Sequence, residues 1–72
     1  MDDARLRRML SKRLREARIR VYGGISQEAF ANIVRVQQSQ ISRWESGESI
    51  PRLSELIRFA ERCQTTPEEL LR

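Results

Sequence analysis

The sequence has no histidine, one cysteine, two prolines and three glycines among its 72 residues. Each scarcity closes a route. With Cys63 alone, no internal disulfide forms, and with no imidazole available no ordinary zinc site is assembled. A lone thiol without histidine also lacks the base that cysteine nucleophiles use. There is no Gly-rich phosphate loop and no evident pair of carboxylates placed for acid–base work. No apolar run approaches the roughly 18–20 residues of a membrane span, and the N-terminus lacks the apolar core of a signal peptide. No stretch alternates with period two, no segment repeats, and no low-complexity linker divides the chain. These absences predict a cytoplasmic, non-enzymatic protein that needs no metal or cofactor, formed as one domain over residues 1–72.

What is present begins with charge. The net charge is +4, and it is unevenly spread. Residues 1–20 hold eight basic residues (Arg5, Arg7, Arg8, Lys12, Arg13, Arg15, Arg18 and Arg20) against three acidic ones, a balance of +5, while the remainder is nearly neutral. A basic element on a neutral body fits a polyanion such as nucleic acid. A chain of this length buries only about 60% of the surface its unfolded form exposes, so a small core needs support. With disulfide and metal excluded, a partner chain is the support left open.

Apolar residues then mark five helices. Leu6, Leu10, Leu14, Ala17 and Val21 form one stripe over about 4–21, closed by Gly23 and Gly24. Ser26 is placed as N-cap of a second helix over about 27–34, with Ile25 and Phe30 spaced as a hydrophobic staple. A tight turn leads to a third helix over about 38–46, and Gly47 follows it. Leu53, Leu56, Ile57, Ala60 and Cys63 predict the buried stripe of a fourth helix over about 52–63, with Pro51 just before it. Thr66 and Pro67 open a last turn over about 67–71, whose Leu70 and Leu71 are expected to close the core. The fold class is all-α.

The third helix, within VQQSQISRWESG, has an unusual exposed side. At 100° per residue Ile41 and Trp44 lie within about 60° of each other and define the buried face. Gln38, Ser39, Ser42 and Arg43 fall opposite them. Gln pairs with adenine N6 and N7, Arg with guanine O6 and N7, and Ser with several bases or phosphate. Exposed helices ordinarily favour Glu and Lys. This face has neither, and the helix's one acid, Glu45, borders the buried side.

The stretch SQEAFANIVRVQQSQISRWESG, residues 26–47, resembles the helix-turn-helix of the Cro/repressor class, the XRE family. Ser-Gln-Glu opens the second helix, Ala31 is its fifth residue, and Ile-Ser-Arg-aromatic-Glu-x-Gly closes the third. The likeness continues through Pro51 and LSELIRFAERCQTTPEELL, residues 53–71, and LREAR, residues 14–18, is similar to the end of that family's first helix. The resemblance implies a compact five-helix repressor-like domain and a sequence-specific regulator of transcription. It acts on double-stranded DNA with its third helix in the major groove, as a homodimer on a partly palindromic operator. Carried over by position, Gln38, Ser39, Ser42 and Arg43 become base contacts. Gln27 becomes a backbone contact that braces Gln38, Arg52 approaches the backbone or minor groove, and Arg18 and Glu45 pair across helices one and three. Where the pattern has glycine in two turns, this chain has Arg35 and Gln64, so strained or differently shaped turns are expected. Gln37 replaces the usual Ser or Thr cap, the connection at 21–24 is longer, and Glu48 follows Gly47 where a basic residue suits a phosphate. These departures keep an alternative open: a protein-interaction module of the same fold, antitoxin-like or an anti-regulator, with weak or no DNA binding.

Overall fold

The computed structural model describes residues 3–72, with side chains from residue 4 onward. Among them are five helices and no strand: α1 Asp3–Tyr22, α2 Gln27–Val34, α3 Gln38–Ser46, α4 Leu53–Arg62 and α5 Pro67–Leu70. Observed ends differ from the expected ones by a residue or so, the usual scatter of fraying termini. Residues 1 and 2 of the expected domain span lie outside the described residues.

Helix starts are satisfied in two ways. Ser26 Oγ accepts from the Ala29 N–H at 3.1 Å, and Thr66 Oγ1 accepts from the Glu69 N–H at 3.2 Å. At the starts of α3 and α4 a side chain one turn inside the helix reaches back instead. Gln40 Oε1 accepts from the Gln37 N–H at 3.2 Å, and Glu55 Oε1 accepts from the Arg52 N–H at 2.8 Å. Gln40 Nε2 also donates to Glu55 Oε2 at 3.2 Å, so the two helix starts are tied together.

Helix ends share one device. A residue in the left-handed conformation follows each of α1–α4 or lies one residue past the cap: Gly23 (φ 62°), Arg35 (φ 66°), Gly47 (φ 82°) and Gln64 (φ 59°). After α2, α3 and α4 the next N–H folds back onto an orphan carbonyl, Val36 to Ala31 at 3.0 Å, Glu48 to Arg43 at 2.9 Å and Thr65 to Ala60 at 2.9 Å. This is the Schellman closure. Arg35 and Gln64 therefore keep the turn shape that glycine favours and bear its steric cost, on the order of 1–2 kcal/mol each. Arg58 offsets part of that at the first turn, donating Nε to the Val34 carbonyl at 2.6 Å and Nη2 to the Arg35 carbonyl at 3.3 Å.

The core joins all five elements. Leu10, Leu14 and Ala17 from α1 meet Phe30, Ala31 and Val34 from α2, Ile41 and Trp44 from α3, Leu56, Phe59, Ala60 and Cys63 around α4, and Leu70 from α5. Its centre is aromatic: Phe30 and Phe59 meet edge to face at 5.1 Å, with Tyr22 beside Phe30 at 5.5 Å and Trp44 near Phe59 at 6.5 Å. Three expected core positions are corrected. Leu53, Ile57 and Leu71 are exposed, while Phe59, outside the expected stripe, is fully buried. The body of the protein covers α4 from the Phe59 side, about 50° round the helix from where the stripe was centred.

Candidate nucleic-acid interface

Ile41 and Trp44 are buried, and that fixes the rotation of α3. With those two inward, Gln38, Ser39 and Arg43 are exposed and Ser42 is half-buried on the outer side. No acidic residue lies in the first turn of α3. The positive end of its dipole is therefore left unopposed by a local carboxylate. The nearest acid past its other end, Glu48, accepts from Ser46 Oγ at 2.8 Å.

Behind this face a buried cluster holds α3 against α1. Glu45 is 4% exposed, yet its carboxylate is fully engaged. Arg18 Nε donates to Oε2 at 2.7 Å and Arg18 Nη2 to Oε1 at 3.0 Å, a two-pronged contact. Gln27 Nε2 reaches the same Oε1 at 3.3 Å. Arg18 Nη1 extends to the Ile25 carbonyl at 3.2 Å, tying in the connection before α2. Two further arginines of α1 hold the end of α3: Arg15 Nη1 donates to the Glu45 carbonyl at 2.9 Å, and Arg7 Nε to the Gly47 carbonyl at 3.0 Å. Cations placed at a helix C-terminus are favoured by the dipole as well as by the hydrogen bonds.

Gln27 therefore braces Glu45, where a Gln27–Gln38 contact was expected. The reason is reach: its amide lies against a buried carboxylate that retains an acceptor position after Arg18 has docked. Arg52, at the cap of α4, has an exposed side chain, and Leu53 and Ser54 at the start of that helix are exposed too. Sequence reasoning found Arg18 and Glu45 but missed Arg7 and Arg15, which were indistinguishable from the other basic residues of the first helix. It also missed the Gln40–Glu55 link, although Gln40 three residues after Gln37 and Glu55 three after Arg52 carry the spacing of a reach-back cap.

Cys63 takes no part in this surface. It is buried, and its thiol is pushed up from 9.0 to about 11, first by desolvation, with Arg20 and Arg18 pulling down and Glu45 pushing up. A thiol so protonated is a core filler. Among the described residues no group of three Cys, Asp or Glu side chains is placed to hold a metal, and no helix is long and apolar enough to cross a membrane.

A capped α2, a tight turn and a second helix offering an uncharged hydrogen-bonding side with one arginine define a helix-turn-helix DNA-binding transcription regulator. The chain belongs to the HTH_3 helix-turn-helix family, whose model matches residues 12–70. Solved structures agree on the fold. The restriction-modification controller protein C.AhdI from Aeromonas hydrophila is 27% identical with a TM-score of 0.83, over 97% of this chain and 99% of that one. The hypothetical transcription factor NHTF from Neisseria is 25% identical with a TM-score of 0.82, over 100% of this chain and 80% of that one. An HTH_3 family transcriptional regulator from Vibrio cholerae shares the fold, with a TM-score of 0.82 at 22% identity over 96% of this chain and 38% of that one. A comparison with curated proteins gives no significant match.

Proposed function

We propose that the protein is a sequence-specific regulator that reads double-stranded DNA by placing α3 in the major groove. The observation that carries this reading is the outer side of α3, where Gln38, Ser39 and Arg43 stand exposed beside Ser42 while Ile41 and Trp44 anchor the helix from behind. In this reading those four side chains meet base edges. Gln27 and Arg52 meet the sugar–phosphate backbone and set the register. Catalysis has no part in it, and the protein works in the cytoplasm, where its duplex partner lies.

A single module reads few base pairs, so two copies related by a two-fold axis bind a partly palindromic operator. The face proposed to join them is the outer side of α4. Leu53 is 69% exposed and Ile57 41% exposed, one turn apart, with Ile50 at 40% just before the helix. A large apolar patch on a chain this small is costly unless it is covered.

The test is selection of bound fragments from random duplex DNA, followed by Arg43→Ala. Recovery of a symmetric motif, and loss of preference at one position in each half-site with about 1–3 kcal/mol less discrimination, supports base reading. No duplex retained even at low salt overturns it and favours a protein partner for the same face.

A further inference from the structure

The starts of α3 and α4 are joined by one continuous chain of hydrogen bonds. The Gln37 N–H donates to Gln40 Oε1 at 3.2 Å, Gln40 Nε2 donates to Glu55 Oε2 at 3.2 Å, and the Arg52 N–H donates to Glu55 Oε1 at 2.8 Å. Among the described residues the middle bond is the single side-chain hydrogen bond between these two helices. Otherwise α3 packs mainly on α1 and α2, and α4 on α2 and α5. Gln40 and Glu55 are both half-buried.

The chemistry of the chain allows one arrangement. Both of its ends are backbone N–H groups, which only donate. An amide side chain accepts on one side and donates on the other. Gln40, having accepted from Gln37, must therefore turn its NH2 group toward Glu55. Residue 55 then meets a donor at each of its two terminal atoms, and only an ionised carboxylate offers an acceptor at both. An amide at position 55 sets donor against donor at one of the three bonds, whichever way it and Gln40 are flipped.

The two ends of the chain lie at proposed DNA contacts. Gln38 and Ser39, which open the outer face of α3, follow Gln37 directly. At the other end, the Arg52 guanidinium is exposed and pairs with no carboxylate among the described residues. We propose that Gln40 and Glu55 are positioning residues for sequence reading. They fix Arg52 relative to the base-facing side chains of α3, so that a duplex satisfies the phosphate contact and the base contacts together in one register only. The proposal rests on the reading of α3 as the groove helix and of Arg52 as a backbone contact.

Two variants test it, Glu55→Gln and the exchange Gln40→Glu/Glu55→Gln. The first breaks the chain. The second closes it again with the roles reversed and the net charge unchanged, since a carboxylate at position 40 accepts from the Gln37 N–H and from the amide at position 55. Affinity is measured for the selected operator and for a scrambled duplex of equal length, below the melting temperature of each protein. Removing a negative charge raises affinity for both duplexes alike, so the ratio of the two reports positioning. Glu55→Gln should lower that ratio by about tenfold, the order of one good bidentate base contact, and the exchange should restore it. An unchanged ratio in Glu55→Gln overturns the proposal, whatever happens to stability. So does an exchange that leaves the ratio lowered. Failure of the underlying reading shows separately: a wild type that does not distinguish operator from scrambled sequence removes base reading, and an Arg52→Ala variant that keeps the full salt slope, without the loss of about 0.9 expected for one phosphate, removes the backbone contact.

Discussion

Arg35 and Gln64 sit in a backbone conformation where an L side chain crowds its own carbonyl, and glycine does not. The cost is on the order of 1–2 kcal/mol for each. Glycine in exchange loses about 0.5–1 kcal/mol more conformational freedom on folding. The difference predicts that Arg35→Gly and Gln64→Gly each stabilise the protein by about 0.5–1 kcal/mol, and that Gly47→Ala, at φ 82°, destabilises it. Urea unfolding measures all three. Loss of stability in both glycine variants would mean that the arginine and glutamine side chains contribute more than the strain they impose. That these positions take glycine-like geometry was implied by the resemblance to the helix-turn-helix family, whose pattern has glycine at both turns. Whether the chain would bend to relieve the strain was not legible. Arg58, distant in sequence, holds the Val34 and Arg35 carbonyls and keeps the turn tight.

Helices carried most of the legible information, and α4 shows where it ran short. Phe59, Cys63, Leu56, Ala60, Leu53 and Ile57 together span about 160° of the wheel. The rest of the protein covers only part of that arc, ending near Leu56 and Ala60. The expected stripe of Leu53, Leu56, Ile57, Ala60 and Cys63 took in the uncovered edge at Leu53 and Ile57 and left out Phe59 at the covered one, since periodicity alone shows how wide an apolar face is and not where its covering neighbours lie. For α3 the same procedure worked because Ile41 and Trp44 are its only large apolar residues. The pairing of α1 with α3 makes its own prediction. Arg18 is held in a planar fork against a carboxylate that is almost fully enclosed, and removing one partner strands the other. Arg18→Ala and Glu45→Ala should each cost about 3–5 kcal/mol, and Arg18→Lys should recover little because an ammonium cannot match the fork. A double-mutant cycle in urea checks it: the paired loss should be clearly smaller than the sum of the single losses. Additive losses would show two side chains acting independently.

For the whole molecule, measuring 33 × 22 × 21 Å, the question is how a domain able to read only a few base pairs singles out one site among many. In the reading proposed above, duplication answers it, and the outer side of α4, with Leu53 and Ile57 exposed, is the surface proposed for the task. Gln40 and Glu55 tie the start of α3 to the start of α4. A two-fold axis through the Leu53–Ile57 side of α4 would therefore carry the orientation of one groove helix rigidly over to the other, and so set the spacing of half-sites. The face exposes Leu53 and Ile57, and a two-fold contact there would set each patch against its own copy. Leu53→Ser/Ile57→Ser should leave the fold intact, because both side chains are already exposed, and should shift the protein from dimer to monomer in sedimentation at micromolar concentration. Binding to an isolated half-site should be unchanged. Binding to the full operator should fall by about a hundredfold or more, since the second half-site is no longer engaged at the high effective concentration that linkage provides. A variant that still sediments as a dimer places the two-fold axis elsewhere. A wild type that sediments as a monomer, yet protects both halves of a symmetric site, makes the DNA itself the partner that brings the copies together.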